Sequence, residues 1–313
     1  MADRADPEVV VAVLTFRRPE DILAVLPRLV AQLADAGHRG HVLVIDNDPD
    51  ASARAVVADW SDRRVRYVHE PQPGIAAARN RALDETDADL LVFIDDDERP
   101  SPGWLGKLID VWELDRPAGV VGPVISEYAH EPEPWIAAGR FFDRRRLPTG
   151  TLVDVAATNN LLLDLRQLDG TRFDNEFGLS GGSDTLFTRQ IVAGGGRLVW
   201  CDEAWVIDVV PPKRLTRRWV IQRAFRSGNG WSRTSLVLSR GRREDIACRV
   251  NLLRAGLVRL LGGAALALAG VLTVSLARRA RGARTLARGA GMVSGAFGYV
   301  YSEYARRDES TVP

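Results

Sequence analysis

The stretch Leu90-Leu91-Val92-Phe93-Ile94-Asp95-Asp96-Asp97-Glu98 is an apolar run that stops abruptly in carboxylates. A short run of branched and aromatic residues reads as a buried strand, so the carboxylates emerge at its C-terminal edge, where open α/β sheets bind ligands. Alternation along an extended chain sets Asp95 and Asp97 on one side and Asp96 on the other. Two hard oxygen donors facing one way suit Mg²⁺ or Mn²⁺ carrying a diphosphate. Working outward, Val9 to Leu14, His41 to Asp46, Val65 to Val68 and Val120 to Ile125 read as further strands. Between them Pro19 to Leu33, Ala51 to Trp60, Ile75 to Leu83 and Gly103 to Leu114 read as helices. This alternation predicts an α/β fold, a mostly parallel sheet flanked by helices.

Further along the pattern changes. From Ser126 to Thr151, Pro132, Pro134 and Pro148 stand among charges and aromatics, and the segment reads as a loop or lid. Order resumes in Val153 to Leu163, in a Gly-rich turn at Gly178 to Gly182, in a helix from Asp184 to Val192, and in short strands at Leu198 to Trp200 and Ala204 to Val209. Leu215 to Ser227 reads as a basic helix. The formal charge of +1 hides an asymmetry: from Lys213 onward 20 Lys and Arg face 5 Asp and Glu, whereas the preceding residues carry 22 against 36. An acidic half followed by a basic, apolar tail points to a membrane surface. Zinc spacing and aromatic–basic recognition motifs are missing, which argues against a nucleic-acid partner.

Within the tail, Leu260 to Ala277 is an 18-residue stretch without a charge, flanked by Arg259 and Arg278. As a single helix it spans about 27 Å, just short of a hydrocarbon core of about 30 Å. A second uncharged run, Gly289 to Ser302, is too short to cross alone. Two arrangements stay open: a pair of packed helices, or a membrane-associated segment that spans or lies in the interface. Arg278, Arg279, Arg281, Arg284 and Arg288 favour a cytoplasmic, anionic-lipid-facing junction. Cys201 and Cys248 lack metal spacing and read as reduced thiols. The first six residues lack the apolar segment of a signal peptide, so the expected location is the cytoplasm or the cytoplasmic face of the membrane.

Three strand ends carry polar groups: Thr15-Phe16-Arg17-Arg18-Pro19, Asp46-Asn47-Asp48 and Asp95-Asp96-Asp97. A lone Asp at a strand end is ordinarily a cap or turn former. Together, along one edge of a parallel sheet, these groups form a nucleotide site, with Asp46 at the base or ribose and Asp95 and Asp97 at the ribose and phosphates. Thr15, Arg17 and Pro19 belong to its nucleotide-binding side. A dehydrogenase is disfavoured because no Gly-x-Gly-x-x-Gly follows an early strand.

These segments, with Gly74-Ile75-Ala76-Ala77-Ala78-Arg79-Asn80 and Gly181-Gly182-Ser183-Asp184, resemble the family 2 nucleotide-sugar glycosyltransferases over roughly residues 8–235. The resemblance implies a GT-A type, Rossmann-like fold and inverting transfer of a sugar from a nucleoside diphosphate donor to an acceptor hydroxyl. It implies a catalytic domain at 1–235, divided into a nucleotide-sugar part (1–125) and an acceptor region (126–235), followed by a helical tail (236–313). By motif, Asp46 contacts the nucleoside, Arg79 lies near base or diphosphate, Asp95 and Asp97 form the DxD that binds Mn²⁺ or Mg²⁺, and Asp184 is the base. Ser183 replaces the Glu usual before that Asp, and Val209 stands where many members have a metal-binding His. Gly182 ahead of Ser183 and Asp184 suits close ligand approach. Arg223 and Arg226, on the basic helix, suit a diphosphate or acceptor phosphate. Expected partners are a nucleotide sugar, a glycan, glycolipid or small-molecule hydroxyl acceptor, and a membrane surface. The alternatives are a sugar-phosphate nucleotidyltransferase, whose Gly-rich loop is missing after the first strand, and a catalytically silent membrane scaffold.

Overall fold

Four apolar segments, β1 (Val9–Thr15), β2 (Gly40–Asp46), β3 (Val65–His69) and β4 (Leu90–Asp95), pair in parallel in the computed structural model, which describes residues 6–60 and 62–301. β8 (Asn160–Asp164) runs antiparallel to β4 and to β6 (Gly119–Val121), and β9 (Leu198–Trp200) runs parallel to β6. The seven-stranded order is β3-β2-β1-β4-β8-β6-β9. The expected mostly parallel α/β sheet is present, with one antiparallel insertion. Its register brings the strand ends level: Thr15 faces Asp46, and Leu14 faces Asp95.

Residues of alternate parity fill two apolar layers, one on each face. Val9, Val11 and Val13 pack with α1 (Pro19–Ala36) and α4 (Trp104–Asp115), whereas Val10 and Ala12 pack with α3 (Ile75–Asp84) and with Phe187 and Ile191 of α6 (Ser183–Ala193). The buried Trp104 indole donates to Asn160 Oδ1 at 2.9 Å, satisfying a polar group inside the first layer. Only Arg54–Ala58, α2, of the expected helix 51–60 forms. The expected strand 120–125 breaks at Gly122, where a Cβ would stand 2.1 Å from Ala204 O. The chain leaves the large sheet there, and β7 (Val124–Tyr128) joins a second sheet of order β5-β10-β7, with β5 (Glu98–Pro100) and β10 (Val206–Val210).

The chain divides into two compact units. The sheets belong mainly to the first, 1–127, 143–174 and 187–209; the second comprises 128–142, 175–186 and 210 onward. The segment expected as a lid supplies α5 (Pro134–Gly139), whose Trp135 and Ile136 are buried with Phe142, Val210, Val220 and Ala280. These aromatics are packing residues of the second unit. The basic helix runs on to Val237 as α7 (Arg217–Val237), beyond the expected Ser227. It is followed by α8 (Arg242–Leu272) and α9 (Leu276–Ala296). The uncharged stretch 260–277 is therefore not one helix. It is cut after Leu272 by a turn in which Val274 takes φ 52°.

Glycine spacing explains how α8 and α9 pack. Gly256, Gly263 and Gly270 recur every seven residues on α8 and meet α9 backbone: a Cβ on Gly263 would stand 2.5 Å from Leu286 N. Gly282 and Gly289 answer from α9, at 2.4 Å from Ala267 N and 2.7 Å from Gly256 O. On another side of α9, Gly291 meets Phe225 O of α7 at 1.9 Å by the same measure. No side chain fits at these crossings.

Candidate active site

The polar edge is built where β1, β2 and β4 end. Thr15, buried, donates from its hydroxyl to Asp96 Oδ2 at 2.8 Å. The chain then turns through Arg17, whose φ of 55° is held by ion pairs to Asp48 at 3.3 Å and Asp50 at 3.7 Å. A non-glycine residue in that region costs about 1–3 kcal/mol, so the turn is fixed by its surroundings. Pro19 takes the first helical position of α1, where its missing N–H removes no bond. Between them Arg18 donates to Asp96 Oδ1 at 3.0 Å and Asp97 Oδ2 at 2.8 Å. Burial opposes the Arg18 charge, but the two carboxylates outweigh it and raise its pKa.

Asp46 is wholly buried. Its Oδ1 accepts from Asp48 N at 3.0 Å, and its Oδ2 accepts from Ala53 N at 2.8 Å and from the Tyr67 hydroxyl at 3.0 Å. The sequence placed this carboxylate against a nucleoside; in the structure both oxygens are taken up by the loop after β2 and by β3. Asn47 clamps the next loop, donating to Glu70 O at 2.9 Å and Gln72 O at 2.7 Å and accepting from Gly74 N at 3.1 Å. That loop delivers α3. There the Arg79 guanidinium lies 5.4 Å from the centroid of the Phe173 ring. Asn80 fixes the same segment by donating to Phe173 O at 2.8 Å and accepting from Phe173 N at 2.9 Å.

Asp95 stands among like charges. Burial first, then Asp97 and Asp208, push its pKa up to about 6 against the opposing fields of Arg79 and Arg144. Burial likewise lifts Asp96 to about 7, against Arg18 and the Thr15 hydroxyl. Glu98 is pushed well above the usual range by burial and by Asp95. Its carboxyl accepts from Asn159 Nδ2 at 2.6 Å and from Asp95 N at 3.3 Å. In the second sheet Glu98 lies opposite Asp208, which accepts from Arg144 at 2.6 Å. This concentration of carboxylates resists ionisation unless positive charge is added, and hard oxygen donors match Mg²⁺ or Mn²⁺. Among the described residues no three His, Cys, Asp or Glu side chains group to hold a metal ion. Asp95 and Asp97 are the carboxylates that could offer oxygens to such an ion, with Asp97 also paired to Arg18 at 2.8 Å.

The other expected site residues lie in the second unit. Gly182 has φ 97°, with Phe177, Thr234 and Gly230 beside it. Ser183 and Asp184 open α6, and Thr185 N donates to Asp184 Oδ1 at 2.7 Å. Arg233 donates to Ser180 Oγ at 2.6 Å and lies 4.4 Å from the Phe177 centroid, securing the preceding loop to α7. Arg223 lies over Trp219 and Phe142, at 5.4 and 5.8 Å, and Arg226 is half-buried one turn further. Thr15, Arg17, Pro19, Asp46, Arg79, Asp95 and Asp97 are gathered in the first unit; Gly182, Ser183, Asp184, Arg223 and Arg226 are in the second.

Sequence reading passed over Arg18, Arg144 and Asn159. Arg18 could have been found from its place between the end of β1 and the Pro19 that starts a helix. Arg144 sits in a run of three arginines inside an irregular segment, where no periodicity fixes a direction.

The fold is similar to that of GalNAc-T7, whose crystal structure holds UDP, GalNAc and Mn²⁺, at a TM-score of 0.53 and 11% identity over 74% of this chain. The chain spans about half of that structure's length, 51%. At that identity the likeness is one of fold, the GT-A type. The succinoglycan biosynthesis protein ExoM of Rhizobium meliloti (strain 1021) is 35% identical over 239 residues, which cover 75% of this chain and 77% of the relative. The model of glycosyl transferase family 2 matches residues 10–164. That match begins inside β1 and ends with β8, enclosing the strand ends that form the polar edge; with the ExoM relative, it shows that the chain is a glycosyltransferase and belongs to family 2.

Proposed function

We propose that this glycosyltransferase moves a sugar, with inversion, from a nucleoside diphosphate donor to an acceptor hydroxyl in the assembly of a cell-surface polysaccharide or glycolipid, at the cytoplasmic face of the membrane. The observation that carries the donor half is the crowding of Asp95, Asp97, Glu98 and Asp208, with Asp95 lifted to about 6 by burial and like charge. A divalent cation held by Asp95 and Asp97 would neutralise charge that builds on the diphosphate as the sugar departs. Arg79 adds a fixed positive charge beside these carboxylates, and Asn80 holds the Phe173 segment under it. Asn47, Asp46 and Tyr67 shape the loops against which the nucleoside is read. Asp184 takes the proton from the acceptor hydroxyl as its oxygen attacks the anomeric carbon opposite the leaving diphosphate. One base and one displacement invert that centre. The resemblance to ExoM, a succinoglycan biosynthesis protein, supports polysaccharide assembly as the setting of that transfer.

The test is a panel of nucleoside diphosphate sugars, each with Mn²⁺, with Mg²⁺ or with chelator, read by thermal unfolding. A donor present at about 100 times its Kd stabilises by about 2.7 kcal/mol. The expected result is stabilisation by one donor that needs the cation and is lost in Asp97→Asn. Stabilisation unchanged by chelator and by that substitution overturns the reading.

A further inference from the structure

The face of α8 turned away from its glycine seam is apolar apart from the exposed Arg254, and among the described residues nothing covers it. Val250, Leu257, Leu261, Leu268 and Leu272 recur at steps of seven and four, which stack them along one side of a helix. All are exposed, Leu261 by 73% and Leu272 by 76%. Gly256, Gly263 and Gly270 point elsewhere, into α9, so backbone contact locks the two helices as one hairpin while the leucine row stays outside.

Charge identifies what covers that row. Between Ile246 and Tyr301 the chain carries eight arginines and no acidic residue. Arg278, Arg279, Arg281 and Arg284 are exposed at the start of α9. Arg288 is held below its ordinary pKa by burial and then by the like charges of Arg259 and Arg284, so guanidinium groups from both helices crowd one another. A second copy seated hairpin against hairpin would bring the same arginines together, whereas an anionic lipid surface answers them in the same contact as the leucine row.

By length and composition α8 as a whole could cross a membrane, but the turn after it and the arginines of α9 argue against a spanning arrangement. Because α8 ends at Leu272, its uncharged segment is 260–272, about 20 Å of helix against a hydrocarbon core of about 30 Å. α9 runs back beside it, with Arg279 against Gly270 and Gly282 against Ala267, so a perpendicular hairpin would carry several arginines into the bilayer. We infer that the α8–α9 hairpin lies in the plane of an anionic membrane, its leucine row sunk to the level of the upper acyl chains and its arginines among the headgroup phosphates. The inference rests on the membrane reading above and specifies its geometry.

The full chain is floated with vesicles of phosphatidylcholine alone or with a third of phosphatidylglycerol, in 0.1 M and 0.5 M NaCl. At 0.1 M salt, binding at least tenfold tighter to the anionic vesicles is expected. Leu261→Glu with Leu268→Glu should cut it more than tenfold, and Arg278→Gln with Arg281→Gln should erase most of the preference while unfolding cooperatively like the parent. For depth, an NBD fluorophore on Leu268→Cys in a Cys248→Ser background should be quenched more by shallow (5-doxyl) than by deep (12-doxyl) lipid. Stronger deep quenching overturns the in-plane geometry and leaves the membrane reading standing. Absence of binding to either vesicle overturns both, as does a concentration-dependent dimer that Leu261→Glu dissolves.

Discussion

The polar edge of the sheet and the seam of the helical hairpin are both places of close approach, achieved by opposite means. At the edge, side chains do the work of positioning: Asp46, Asn47 and Asn80 direct their donors and acceptors to backbone, and Arg18 bridges two carboxylates. In the seam, glycines remove side chains so that backbone meets backbone. Charge at the edge is concentrated and only partly opposed, by Arg18, Arg79 and Arg144. The hairpin is held by backbone contact and leaves the leucine row of α8 on its outer surface. Substitutions should therefore read differently in the two regions: in turnover and ligand dependence at the edge, in stability alone at the seam.

The largest effect is expected from the acids themselves. Asp184→Asn should lower kcat by about 10²–10⁴-fold while donor- and metal-dependent stabilisation survives, because a general base contributes to the step and not to donor binding. Asp97→Asn should lose that stabilisation as well. Parallel kinetics and thermal unfolding separate the two. Full turnover in Asp184→Asn removes it as the base.

The seam yields a pair of opposite sign. Gly263→Val places atoms against Leu286 N and Gly282 O, which are backbone and cannot rotate away, and should destabilise by about 2–3 kcal/mol. One residue earlier, Gly262 has nothing within 4 Å of its would-be Cβ. Gly262→Ala should stabilise by about 0.5–1 kcal/mol, the helix-propensity difference alone. Urea titration of both variants checks the pair. Equal effects at the two positions would mean that the backbone contact does not hold the hairpin together.

How much of this was legible in the sequence follows the same division. Strand ends announce themselves because apolar runs stop at Thr15, Asp46 and Asp95, and the parallel register then brings them level. What hydrogen-bonds to what is not announced: Asp46 has the right residue type for a ligand contact, yet its oxygens are used by Ala53 N and Tyr67, one of them a strand away. The break at Gly122 was hidden because a strand-like run continues through it, and only Ala204 and Asn160, far along the chain, make a side chain impossible there. The uncharged stretch 260–277 looked continuous for the same reason. Composition cannot show a turn placed by tertiary packing, although the seven-residue glycine spacing could have shown that two helices meet.

A smaller effect distinguishes the regions by pH. Asp95, Asp96 and Glu98 have folded-state pKa values raised by burial, the first two to about 6 and about 7, whereas an unfolded carboxyl titrates near 4. The contribution of Asp95 and Asp96 is therefore fully present below about pH 4 and is lost as pH rises through 6 to 7, because the unfolded chain releases these protons first. Asp164 behaves oppositely: hydrogen bonds from Arg166 and Gln167 overcome burial and hold its pKa down, so it stays ionised above pH 5 and adds no slope. His41, lowered by burial and Arg66, gains stability with pH and obscures the raw curve. The informative quantity is a difference. Without donor or metal, the Tm of the parent minus that of Asp96→Asn should fall by a few degrees between pH 5 and pH 8, as ionisation of Asp96 removes what the parent gained from it. The shift produced by Gly262→Ala should be the same at both pH values, since no acid lies between Ile246 and Tyr301. If the Asp96 difference instead grows with pH, the Arg18 and Thr15 contacts outweigh burial, and the edge is a satisfied ion-pair network that does not need an added cation.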